Sequence, residues 1–410
     1  MNARLGFTPA EDIEIALSYT RQEGAKNAPL ETTFPLPVQR FWAWPEWNLE
    51  TIALHARAPL GESARLMGHA YRSRFDNLLR AFDTRAQTTQ TLPRAFNSQY
   101  EDQAIGGFLR LDLDLAERHA LGIAVHVRQD EHVEYQQSFP SGFVEPPQTS
   151  RESTYSVAAE HRWQLAPAWQ LRLGGSYDWR DLHRAEEYGV PPGGGPATLF
   201  AYPRRNGDAW NGQAQLQWQP DAGSRLALSL SSRARFPTLF ERFSSRFGGA
   251  APNPGLGAER ATQVEMAGAH ATGRVRLEGA VTADLAPGFR AGASLSFVRR
   301  DIADPGNPAF RPTGVPDVSG FLWAEWALLP GFLLLPSLDV AGDRWLVNTP
   351  GTRWRRDGAH ALVNLRLAWR PLPGVELAVS ASNLTDANFQ LAEGFPEQSR
   401  NFRLSARLRS

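Results

Sequence analysis

The chain of 410 residues contains no cysteine. Disulfides, thiolate metal sites and cysteine nucleophiles are therefore excluded. Lysine is almost absent: Lys26 is the only one, so the cationic side chains are nearly all arginine. Net charge is also missing, with 43 basic against 43 acidic groups, which argues against a nucleic-acid binder held by phosphate contacts. No run of 18 or more apolar residues occurs, so no transmembrane helix is expected. The nearest approach, Gly320 to Leu338, is interrupted by Glu325, Pro330, Gly331 and Pro336 and reads as two strands about a turn. Met1 to Ala10 has no apolar run of the secretory type. No G-x-S-x-G, H-E-x-x-H or phosphate-loop motif is found, so no catalytic residue and no cofactor is assigned and the chain does not read as an enzyme.

What is present is period two. Leu109, Leu111, Leu113 and Leu115 alternate with Arg110, Asp112 and Asp114. The same pattern returns in Ile13–Tyr19, Trp169–Leu173, Ala214–Trp218, Val363–Trp369 and Phe402–Leu408. Such alternation means strands with one apolar and one polar face. A mean hydropathy of −0.39 does not exclude a membrane, because a transmembrane barrel keeps half of each strand's side chains on a polar inner wall.

The connections alternate short and long. Short ones fall near 59–63, 116–119, 165–168, 220–223, 329–331 and 371–374; long ones fall near 23–45, 81–98, 137–150, 185–205, 237–258, 303–317, 347–356 and 385–397. Long loops gathered at one end are the pattern of an outer-membrane barrel with short periplasmic turns and long extracellular loops. Trp163, Trp169, Trp218 and Trp369 all lie near short turns on the apolar parity, as an interfacial belt requires. The rhythm breaks once. Short turns at 271–273 and 286–288 flank a piece with room for about one span. Either one of these turns is extracellular and every later long loop flips to the periplasm, or a loop with its flanking strands is lost; the second is preferred, with a join expected near Val281–Thr282.

At this point the sequence resembles a family. Arg233 to Arg242 (RARFPTLFER), then Asn253, Pro254 and Glu259, resemble the mid-barrel signature of TonB-dependent outer-membrane receptors. Asn383-Leu-Thr-Asp386 and Arg400 resemble their last strands. Arg235, Phe236, Pro237, Asn253, Pro254, Glu259, Asn383, Asp386 and Arg400 are thus positions of the family motif. The resemblance covers residues 1–410 and implies an all-β fold, a transmembrane antiparallel β-barrel. About 18 strands are expected here of a barrel of about 22. The plug, the first strand and the TonB-contacting segment are expected to be missing, with an internal deletion near 281–282. The implied setting is the outer membrane of a Gram-negative bacterium. The implied function is TonB-driven uptake of a scarce large solute, a ferric siderophore first and cobalamin second. Partners would be outer-membrane lipid, the TonB system and that ligand. A passive porin-like channel and a non-functional fragment are the alternatives.

Candidate ligand contacts come from the long loops. Trp42 and Trp44 can grip an aromatic ligand or belong to the outer belt, and Trp47, nearest the strand, reads mostly as belt. Arg242, Arg246 and Phe243 combine cation and aromatic chemistry suited to an anionic chelate. His126, Arg128, Asp130, His132 and Glu134 share one strand face. His126 and His132 are weak metal candidates there, and a polar barrel wall is the plainer reading.

Overall fold

The computed structural model describes residues 1–244, 252–273, 275–277, 280–300, 310–349 and 351–408. The described residues are 69% strand and 2% helix, and no helix among them is long and apolar enough to cross a membrane. It divides into two compact units. The first comprises Met1–Ala28, Arg40–Pro220 and Ala227–Met266; the second comprises Pro29–Gln39, Asp221–Leu226 and Ala267–Ser410.

In chain order the strands begin with β1 (Asn2–Ala10), β2 (Ile13–Gln22), β3 (Lys26–Asn27), β4 (Phe41–Pro59), β5 (Ala64–Phe82), β6 (Phe96–Ala116), β7 (His119–Ser138), β8 (Gln148–Ala166) and β9 (Trp169–Gly189). They continue with β10 (Thr198–Ala201), β11 (Gly207–Trp218), β12 (Ser224–Arg235), the short helix α1 (Leu239–Phe243), β13 (Glu259–Thr272), β14 (Val275–Leu277), β15 (Ala280–Ala286) and β16 (Phe289–Phe297). The last are β17 (Val318–Leu329), β18 (Phe332–Ala341), β19 (Arg344–Val347), β20 (Trp354–Asp357), β21 (His360–Leu372), β22 (Val375–Ser382), β23 (Gln390–Ala392), β24 (Phe395–Pro396) and β25 (Asn401–Leu408). Among the described residues twenty-one of the strands pair antiparallel in sheet ladders, while β19–β20 and β23–β24 are separate hairpins in long connections. The excess over the expected number is the short β3, β10 and β14.

In the first unit, β1, β2, β4 to β9 and β11 pair antiparallel in sequence, each with the next. In the second, β14 to β18, β21, β22 and β25 do the same. Unbroken register carries the period-two pattern across neighbours. Leu109 of β6 stands opposite Val125 of β7, and Val125 opposite Val157 of β8. All three are about half exposed. Apolar side chains thus line the outside instead of a core, an arrangement that is stable when the surrounding solvent is hydrocarbon.

Between the two same-side turns lie two strands, not one. β14 is three residues long, folds back on His270–Thr272 and pairs with β15 through Val275–Ala283 and Leu277–Val281. An even count puts both short turns at the same end of this part of the sheet. Val281 and Thr282, where a join is expected, sit inside β15. The β14–β15 connection falls on residues 278–279, outside the described ones.

The aromatic belt at the short turns has a counterpart. Trp163, Trp169 and Trp218 are each followed, eight positions nearer the long loops on the same strand face, by Tyr155, Tyr177 and Trp210. Trp169 and Trp218 are 6.2 Å apart, Tyr177 and Trp210 are 4.8 Å apart, and Tyr155 lies 5.2 Å from Trp179. Eight residues at ~3.3 Å on strands tilted by ~40° give a band ~20 Å tall, close to the apolar band of such barrels.

A candidate ligand pocket at the long-loop end

Beyond the upper belt the strands continue, and their polar face carries charge. His126, Arg128, Asp130, His132 and Glu134 project from one face of β7, as the alternation requires. Register then places partners from β6: Asp102 stands opposite His132 and Tyr100 opposite Glu134. From β8 come Ser150 opposite His132 and Glu152 opposite Asp130. Asp102 accepts a hydrogen bond from His132 Nδ1, and Glu134 lies 3.5 Å from Nε2. Burial alone would lower the His132 pKa, but the two carboxylates outweigh it and raise it to about 9. The ring is therefore an imidazolium clamped between two anions, with no lone pair for a metal. His126 is six positions away, ~20 Å along a strand, so the two histidines share no ion. Among the described residues no group of three or more histidines and carboxylates converges on a metal position.

The family motif builds the roof over this wall. In α1, Thr238 caps the helix, and Glu241 returns its carboxylate to the Thr238 backbone N–H, a capping box. Arg235 grips Glu241 through two bonds of 3.0 Å and also pairs with Glu259 at 3.2 Å. The Arg235 guanidinium holds the Glu241 carboxyl down at about 2. Arg180 of β9 donates to the Pro237 carbonyl at 2.9 Å and lies 5.1 Å from the Phe236 ring. Asn253 ties the far side, its N–H donating to the Arg242 carbonyl at 2.8 Å and its Oδ1 accepting from Gly255 N–H in the turn that contains Pro254.

Arg242 is fully buried. Its Nη1 donates to Glu152 at 3.0 Å and its Nη2 to the Arg205 carbonyl at 3.1 Å. Burial pushes the Glu152 carboxyl up, against the pull of Arg180 and Arg242. Phe243 is buried with Leu182, Ala185 and Leu239, and the partly buried Tyr202 packs against them. Arg242 and Phe243 thus anchor the roof and present no surface to a ligand, whereas Phe240 at the helix tip stays half exposed. Arg246 lies outside the described residues. In the second unit Asn383 and Asp386 adopt left-handed backbone angles (φ 52° and 54°). Asn383 donates to the carbonyls of Ala387 and Gln398, and Asp386 accepts from the Arg400 N–H at 2.9 Å. These motif residues build a turn.

Between roof and wall is a cavity of about 650 Å³, lined among others by Phe75, Tyr100, Asp102, His126, His132 and Phe240. An aromatic run leads to it. Phe96, Trp42, Trp44, Trp47 and Phe75 follow one another at 5.9, 6.2, 6.3 and 4.9 Å, all edge to face. A bulge in β4 between Ala43 and Glu46 shifts the parity, so Trp42, Trp44 and Trp47 share the polar face. Trp47 lies after the bulge, where alternation sets it opposite in direction to Ile52 and Leu54, so it is no part of the outer belt and packs on Phe75. Lys26 Nζ lies 3.2 Å from the Trp47 ring centroid, and Arg40 lies 4.8 Å from Trp42.

Antiparallel strands with an apolar outer face, two aromatic belts and a charged inner face define a transmembrane β-barrel protein. A family model described as TonB dependent receptor-like, beta-barrel matches residues 46–281. The chain belongs to that family. Solved structures agree on the fold. The copper transporter OprC is 16% identical with a TM-score of 0.79, over 99% of this chain and 71% of that one. The ferric citrate transporter FecA in its unliganded form is 12% identical with a TM-score of 0.76, over 99% and 69%. The ferric yersiniabactin uptake receptor FyuA from Yersinia pestis is 12% identical with a TM-score of 0.72, over 99% and 68%. No curated protein sequence matches.

Proposed function

We propose that this chain forms the membrane wall of a receptor that takes up a scarce large solute across the outer membrane of a Gram-negative bacterium, a ferric siderophore first and cobalamin second. The observation that carries the reading is the pocket roofed by α1. It lies beyond the upper aromatic belt, its volume suits a ligand of several hundred daltons, and it pairs aromatic faces with fixed charges. The Trp42–Trp44–Trp47 run forms its approach and supplies flat surface for a chelate. TonB is the partner expected to drive release into the cell. The family and the relatives named as iron and copper transporters support this assignment.

The test is titration of the refolded chain with ferric catecholate, ferric hydroxamate, ferric citrate and cyanocobalamin, followed by tryptophan fluorescence. Saturable quenching by one iron chelate that is lost in Trp44→Ala supports the reading. No saturable response to any of the four overturns it. Steady large conductance in a planar bilayer without such binding would favour a passive pore.

A further inference from the structure

A second polar-face feature lies deeper, at the level of the apolar band, away from the pocket's carboxylates. His55 of β4 and His69 of β5 are directly opposite one another in register, four and five positions from the short turn that joins their strands. Directly opposed residues have Cβ atoms ~4.5–5.5 Å apart, and the two ring centroids are 6.4 Å apart with planes at 52°. Neither imidazole makes a hydrogen bond or ion pair among the described residues. The other close histidine pair differs in this respect: His119 Nδ1 and His161 Nε2 meet at 3.1 Å and bond to each other.

The surroundings orient His69 without occupying its nitrogens. Its ring stacks on Phe108 at 5.8 Å and lies 5.7 Å from Tyr71. Tyr71 lies flat because Gly106 opposite leaves the room: a Cβ there would stand 2.9 Å from the Tyr71 hydroxyl. The nearest cation on the same face of β4, Arg57, is paired with Glu14 at 3.3 Å. No unpaired positive charge on that strand therefore repels a metal ion.

We propose that His55 and His69 form a two-imidazole site for a borderline divalent transition-metal ion, Cu²⁺ most tightly and Ni²⁺ and Zn²⁺ after it. Neutral imidazole is the common nitrogen ligand of these ions. Metal–nitrogen bonds of ~2.0–2.1 Å are reached from this separation by small rotations about χ1 and χ2. Water on the open polar face completes the shell. Mg²⁺ and Ca²⁺, which take oxygen ligands, are not expected to bind. The site does not depend on the siderophore reading.

The experiment is Cu²⁺ titration of the untagged, refolded full chain in detergent micelles, read by electron paramagnetic resonance. One tight site per chain with hyperfine splitting from two nitrogens is expected. His55→Gln and His69→Gln should each weaken it at least tenfold, and His126→Gln should not. Heat-modifiable gel mobility identifies the folded variants. Equal affinity in both folded variants, or wild-type spectra without two-nitrogen coupling, would overturn the proposal. If a variant fails to fold, a two-nitrogen spectrum that persists in His119→Gln supports the proposal, and its loss there overturns it.

Discussion

The Arg242 guanidinium reaches Glu152 at 3.0 Å across 90 positions of sequence. Arg180, only 3.8 Å from the same carboxylate, stands behind it. Two cations on one buried anion hold the roof helix to the β8–β9 wall. Replacing Arg242 by Met is expected to leave Glu152 with one imperfect partner, at a cost on the order of 3 kcal/mol. Because β8 and β9 keep their own ladder, the loss should be local. Limited proteolysis should cut the 237–258 connection faster while heat-modifiable mobility stays unchanged. Unaltered cleavage would show that the ion pair does not hold the roof.

His132 makes the pocket wall sensitive to alkali. Its pKa is raised from about 6.5 to about 9, so the charged form is the one the fold favours. The stabilising contribution is fully present below about 6.5 and disappears as pH rises through about 9. Thermal unfolding at pH 7 and pH 10 should therefore differ more in the wild type than in His132→Gln. Equal differences would mean that Asp102 and Glu134 do not hold the imidazolium.

Gly394 is expected to tolerate no side chain. Its φ is +85°, and a Cβ there would stand 2.3 Å from Glu31 Cγ. Glu31 is itself held by Thr349 Oγ1 at 2.7 Å, and the Gly394 carbonyl accepts from Thr32. Gly314, with φ +83° and open space around it, is the control that isolates the backbone term of ~1 kcal/mol. Gly394→Ala should cost about 1–3 kcal/mol more than Gly314→Ala and expose the 29–39 segment to protease.

Brominated lipid should separate the tryptophans. Trp163, Trp169, Trp218 and Trp369 stand on the apolar face and should be quenched. Trp42, Trp44 and Trp47 face the other way and should not be. Single-tryptophan variants carrying Trp42 or Trp169 provide the sharpest contrast, and strong quenching of Trp42 would refute the bulge-shifted parity.

Much of this was readable from local pattern. Strand faces follow from alternation, since Leu109 and Arg110 can only point apart. The short turns and lower belt follow from spacing. The clamp on His132 was not readable, because Asp102 comes opposite it only through the β6–β7 register, and register is a non-local property. Trp42 and Trp44 are hidden for another reason: one irregularity between Ala43 and Glu46 reverses their parity, and nothing local in that stretch marks it. Trp47 lies after that irregularity, and alternation alone turns it away from Ile52 and Leu54. Arg242 reads as a loop cation suited to an anion. Its role as an anchor depends on Glu152, which no pattern links to it.

The eight-position interval between the aromatic belts has a physical consequence beyond orientation. A hydrophobic span of ~20 Å is short against the ~30 Å hydrocarbon core of an average bilayer. A thick membrane would have to compress around these strands, while the thinner bacterial outer membrane accommodates them with less strain. Three tyrosine or tryptophan positions, Tyr155, Tyr177 and Trp210, thus set the bilayer thickness in which this wall rests without mismatch.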